Sequence, residues 1–165
     1  MEPMEKHVIT ALVQNKPGVL AHVAGMFSAR GFNIDSLVVG RTENPDLSRM
    51  TIVVIADERT LDQVRKQLAK VVAVVKVRDF QDTDRVERDL MLIRISASQG
   101  KRSEVVELTH LFRGRVVDVA PDSVLVELSG TEQKIDAFAE LVRPYGIIEL
   151  ARTGIIAMAR GRQKE

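Results

Sequence analysis

The sequence predicts an α+β chain in which one βαββαβ order occurs twice, as two ferredoxin-like units in tandem. Three observations carry this. Runs rich in β-branched residues alternate with segments of helical apolar spacing. The order β-α-β-β-α-β is complete by about residue 80 and begins again after a polar stretch. The length of 165 residues suits one large domain or two small ones.

His7 to Val13 is the first strand, rich in β-branched residues and stopped by the turn cluster Asn15-Lys16-Pro17-Gly18. Val19, Leu20, Val23, Ala24 and Phe27 recur at helical spacing, and Gly31 stops that helix. Asn33 to Val39 is a strand, Glu43-Asn44-Pro45-Asp46 a turn, and Arg49 to Ala56 a strand with Met50, Ile52 and Val54 on one face. Leu61, Val64, Leu68 and Val71 mark a second helix, and Val72 to Val77 a fourth strand. Helices in this order cover one face of the sheet, so the other face needs a different cover, often a partner subunit.

Residues 81–88 are polar and of mixed charge, and read as a linker between a unit spanning 5–80 and one spanning 89–160. In the second unit, Leu90 to Ala97 is a strand, and Val105, Leu108 and Phe112 mark a helix ending at Gly114. Strands at Val116 to Val119 and Val124 to Leu128 meet at Pro121-Asp122. A helix carrying Ile135, Phe138 and Val142 stops near Pro144 and Gly146. Ile147 to Leu150 and Ile155 to Met158 follow as strands, and 161–165 is a polar tail.

Composition removes several function classes. A formal net charge of +1 supplies no field to recruit nucleic acid or an anionic membrane. Aromatic residues make up 4%, and the strand Arg49 to Val54 has none, which argues against base stacking on an RNA-binding sheet. The absence of cysteine excludes disulfides, thiolate metal ligands and a cysteine nucleophile. No apolar run approaches the ~20 residues that span a bilayer, and no signal-peptide pattern opens the chain, so a soluble cytoplasmic protein is expected.

No catalytic constellation is visible. His7, His22 and His110 show no i, i+4 pairing and read as structural. Ser96, Ser98 and Ser103 have no base and orienter nearby in sequence. Asp82, Asp84, Glu87 and Asp89 are interleaved with Arg85 and Arg88 and read as a solvated segment, not a metal site. The chain is expected to be no enzyme by itself, and to carry no metal or cofactor.

The segment Asn15-Lys16-Pro17-Gly18-Val19-Leu20 does carry interpretable chemistry. It delivers a strand into the first turn of a helix, where free N–H groups and the dipole attract a carboxylate. Gly18 permits close approach, and Pro17 fixes φ at the helix entry. Asn15 and Asn33 each offer an amide that accepts from an ammonium and donates to a carboxylate. The set suits a zwitterion. Taken alone, the segment fits a capped helix entry better than a ligand loop.

In this position, Asn15-x-Pro-Gly-Val-Leu20 resembles the ligand loop of the ACT domain family. Phe27 to Leu37, Leu47 to Ile52, Arg88 to Ile93, Phe112-Arg113-Gly114 with Val117-Asp118-Val119, and Ala151-Arg152-Thr153-Gly154 resemble the small subunits of acetohydroxyacid (acetolactate) synthase. These segments span nearly the whole chain. The resemblance implies that the first unit is an ACT domain that dimerises and binds valine at Asn15, Lys16, Pro17, Gly18, Val19, Leu20, Asn33 and Ile34. It also implies a partner, the catalytic large subunit, which holds thiamine diphosphate, Mg²⁺ and FAD. The small subunit would stimulate that partner and confer feedback inhibition by valine. Lys16 stands where many members carry an acidic or neutral residue, so leucine and isoleucine stay open as effectors. A stand-alone ACT-domain amino-acid sensor with another partner is the alternative reading.

Overall fold

The computed structural model describes residues 3–98 and 100–161, so residues 162–165 of the expected polar tail lie outside the described residues. The chain packs as two units. The described residues up to Val86, with those from Ile155 onward, form the first, and Glu87–Gly154 forms the second. Each holds an antiparallel sheet and two helices in the expected βαββαβ order.

The first unit contains β1 (Glu5–Gln14), α1 (Val19–Ala29), β2 (Ile34–Arg41), β3 (Leu47–Ala56), α2 (Glu58–Ala69) and β4 (Val74–Asp79). Strand order is β2-β3-β1-β4, which leaves β2 and β4 at the edges. Alternation places Ile9, Ala11 and Val13 of β1 beside Met50, Ile52 and Val54 of β3 on one face. Val23 and Phe27 of α1 and Leu61, Val64 and Leu68 of α2 bury against that face. Asp57 starts α2 by accepting from the Thr60 N–H at 2.7 Å.

The opposite face of this sheet is covered in part by the chain's own C-terminal end. Val8 and Val53 pack with Phe80, Ile155 and Ala157. Residues 155–159 thus go with the first unit, whereas the sequence groups them with 89–160. The strand β9 (Ile156–Ala159) pairs with β5 (Arg85–Ser96), and the Arg160 N–H donates to the Asp84 carbonyl at 2.9 Å. Four residues of the expected linker, Arg85 to Arg88, are therefore strand. Pairing with β7 begins only at Asp89, so these four precede it, and they show no apolar alternation that would mark them as strand in the sequence.

The second unit continues along β5 into α3 (Arg102–Leu111), β6 (Arg115–Val119), β7 (Ser123–Gly130), α4 (Glu132–Val142), a 3-10 turn at Arg143–Tyr145 and β8 (Ile147–Arg152). Its strand order, β6-β7-β5-β8, repeats that of the first unit. Met91, Ile93, Ile95, Val126, Leu128 and Phe138 centre its core, where the Phe112 and Phe138 rings meet edge-on at 5.2 Å. Asp89, read in the sequence as part of a solvated acidic segment, is 2% exposed. Arg152 Nε donates to its carboxylate at 3.0 Å, and Arg152 Nη1 reaches Asp136 at 2.7 Å. A buried carboxylate needs such a partner, and sequence distance hides one that lies 63 residues away.

Candidate effector site at the start of the first helix

After β1, the Lys16 N–H donates to the Gln14 carbonyl at 3.0 Å and turns the chain. Pro17 follows, then Gly18 in the left-handed region (φ 83°, ψ −10°) at the N-cap of α1. A Cβ built on Gly18 would meet no heavy atom within 4 Å, so open space lies in front of this backbone. Helix α1 has no side-chain cap and no acidic residue in its first turn. By contrast, Thr131 caps α4 and Glu132 lies in its first turn; Asp57 and Glu58 do the same for α2. The dipole of α1 therefore ends without a compensating side chain, at an exposed backbone.

Asn15 is held to the turn between β2 and β3. Its N–H donates to the Asp46 carbonyl at 2.7 Å, and its Nδ2 to the Pro45 carbonyl at 2.9 Å. Asn44 Oδ1 accepts from the Asp46 N–H at 3.0 Å and stiffens the same turn. One amide hydrogen and the Oδ1 of Asn15 stay available to a ligand. The sequence marks Asn44-Pro45-Asp46 only as a turn. Its contact with Asn15 comes from the β1–β3 register, which places Gln14 opposite Leu47.

The eight residues singled out in the sequence do not converge within one chain. Asn15, Lys16, Pro17, Gly18 and Leu20 are exposed around the loop, whereas the Val19 side chain is buried in the core. Ile34 likewise packs against the core. Asn33 is exposed, but it precedes Ile34, which pairs with Val54 and so lies level with His7. Seven residue steps along β1 lead from His7 to Gln14, or about 23 Å at ~3.3 Å per residue. Asn33 and the Asn15 loop thus sit at opposite ends of one sheet.

Elsewhere the chemistry is structural. His7 is buried, and its Nε2 lies 3.0 Å from the Ala56 carbonyl. His22 and His110 are exposed. Among the described residues, no group of three or more His, Cys, Asp or Glu side chains could hold a metal ion, and no helix is long and apolar enough to cross a membrane.

Comparison with known proteins agrees with this architecture along most of the chain. The family described as "AHAS small subunit-like ACT domain" matches residues 9–76, and that described as "Small subunit of acetolactate synthase" matches 88–161. A probable acetolactate synthase small subunit of Archaeoglobus fulgidus is 57% identical, covering 96% of this chain and 99% of the relative. An acetolactate synthase small subunit of Mycobacterium bovis is 48% identical, covering 94% and 92%. The crystal structure of the acetolactate synthase small subunit from Thermotoga maritima superposes with a TM-score of 0.89 at 40% identity, over 97% of this chain and all of that one. The chain belongs to the acetolactate synthase small-subunit family.

Proposed function

We propose that this chain is the regulatory subunit of acetolactate synthase: it binds the catalytic large subunit, stimulates it, and makes it sensitive to valine. The carrying observation is the uncapped α1 N-terminus, open to solvent at Gly18 and flanked by an Asn15 fixed to the β2–β3 turn. A valine carboxylate would accept from the first-turn N–H groups, its ammonium would donate to an asparagine Oδ1, and its isopropyl group would lie against Leu20. A charge-assisted hydrogen bond contributes about 1.5–3 kcal/mol, and burying an isopropyl group about as much. After the entropy of association, that suits a sensor of metabolite level. Thiamine diphosphate, Mg²⁺ and FAD belong to the catalytic partner and supply the condensation chemistry there.

The reading includes a dimer through β2. This edge strand spans Ile34–Arg41. A two-fold antiparallel pairing of the whole strand with a second copy sets Ile34 opposite Arg41 of that copy. Asn33 then lies level with the end of the neighbour's β2, beside the turn that holds the neighbour's Asn15. The pairing brings together across the interface what one chain keeps about 23 Å apart.

The test mixes the purified chain with its large subunit and follows acetolactate formation with and without valine. The chain alone is expected to make none, to raise the partner's turnover when added, and to confer inhibition by valine. Calorimetry on the chain with valine, leucine and isoleucine ranks the effectors. Binding of an amino acid without any effect on acetolactate formation would favour a stand-alone sensor and refute the regulatory role.

A further inference from the structure

Among the described residues, Arg113 is the non-glycine residue with positive φ, at +57°. It closes α3 in a paired arrangement: the Arg113 N–H donates to the His110 carbonyl at 2.9 Å, and the Gly114 N–H to the Thr109 carbonyl at 2.8 Å. A helix ended this way favours glycine at the place Arg113 occupies. The neighbouring glycine stands where a side chain would be crowded. A Cβ on Gly114 would lie 3.1 Å from both the Glu127 carbonyl oxygen and Thr109 Cγ2. Arginine therefore holds a strained backbone that glycine would adopt freely.

The fold draws no visible return from this strain. Arg113 is exposed, and no hydrogen bond or ion pair among the described residues holds its guanidinium. Beside it, Leu111 is 71% exposed. Leu111, Phe112, Arg113 and Lys134 line a shallow cavity of ≈ 390 Å³. A second groove runs back along α3 past Val106 and His110, and it shares Leu111. The lining of the first cavity thus combines two cationic side chains, Arg113 and Lys134, with two apolar ones, Leu111 and Phe112.

We propose that this end of α3 docks the catalytic large subunit, receiving an acidic side chain at Arg113 and an apolar side chain over Leu111. The inference rests on the regulatory reading above and names a contact surface for it. Charge selects an acidic group, since the cavity lining carries Arg113 and Lys134 and no carboxylate. Arginine is also the cation that grips a carboxylate through two parallel N–H bonds. The exposed leucine favours a protein over a free anion, because a small anion would gain nothing from covering Leu111.

The test uses the full chain and the large subunit. Half-saturation for stimulation is titrated for wild type, Arg113→Gly, Arg113→Asn and Leu111→Ser, alongside thermal unfolding and valine calorimetry. Arg113→Gly is expected to raise the unfolding midpoint yet weaken half-saturation about 10-fold or more, the scale of one charge-assisted bond. Arg113→Asn, which tolerates the same backbone without the charge, is expected to weaken it equally, and Leu111→Ser also to weaken it. Valine affinity is expected to stay unchanged in all three. Wild-type half-saturation in Arg113→Gly and Arg113→Asn would overturn the proposal. Loss with the arginine variants but not with Leu111→Ser would reject the apolar half and leave a charge-only contact. Failure of the wild-type chain itself to bind the large subunit would instead bring down the regulatory reading, and this inference with it.

Discussion

Gly18 adopts φ 83° where a Cβ would meet no atom within 4 Å. A substitution there meets a backbone penalty and no clash, so the effects of conformation and charge can be separated. Gly18→Ala is expected to destabilise the chain by about 1 kcal/mol, the ordinary cost of left-handed backbone for a residue with a Cβ. Gly18→Asp carries the same backbone cost and adds a carboxylate at the helix N-terminus, where it would occupy the dipole and repel an incoming carboxylate. Thermal unfolding is expected to find both variants folded, and calorimetry to find valine binding abolished in Gly18→Asp. Unchanged valine affinity in Gly18→Asp would remove Gly18 from the site. The chemistry open to Gly18 and Asn15 is legible in their residue types, but the bond that commits one hydrogen of the Asn15 amide to the Pro45 carbonyl is not.

Helix α2 and strand β4 are tied by Arg65, which bonds Asp79 on β4 at 2.5 Å and Asp62 on its own helix at 3.0 Å. Burial pushes the Asp79 carboxyl up, but Arg65 and the Gln81 N–H outweigh it and leave the group below its ordinary value. Lys66, and then Arg65, hold Asp62 below its ordinary value as well. Groups whose folded pKa is depressed stabilise the fold above the unfolded value of 3.8, and that stability is lost as pH falls through the folded value. The unfolding midpoint is therefore expected to hold near neutrality and to drop below about pH 4. Arg65→Gln should lie below wild type at pH 7, with the gap closing as pH falls toward ~2. A gap that stays constant with pH would show that these ion pairs play no part. At this scale the sequence is most legible where one element carries its own pattern, as Leu61, Val64 and Leu68 do for α2. It fails at Arg85 to Arg88, which have no apolar alternation and yet are strand, ahead of the pairing with β7 that starts at Asp89.

Across the whole molecule, the twice-repeated order was readable because each unit satisfies its own periodicity. The return of Ile155 and Ala157 to Val8 and Val53 was not, because it depends on which sheet face still lacks cover. The proposed effector site would be distributed in a similar way, since one chain places the Asn15 loop and Asn33 at opposite ends of its sheet. If two copies pair through β2, each site of the dimer takes the loop from one chain and Asn33 from the other. Asn15→Ala and Asn33→Ala, made separately, then damage both sites of their homodimers. A mixed dimer, isolated with a different tag on each variant, collects both lesions in one site and none in the other. It is expected to bind about one valine per dimer at near wild-type affinity, following the two-fold site count. Thermal unfolding of each homodimer controls for the Pro45 contact that Asn15→Ala removes. Were both asparagines of a site supplied by the same chain, every site in the mixed dimer would carry a lesion and calorimetry would find no restored site. That result would reject the shared site while leaving the regulatory role to the activity measurements.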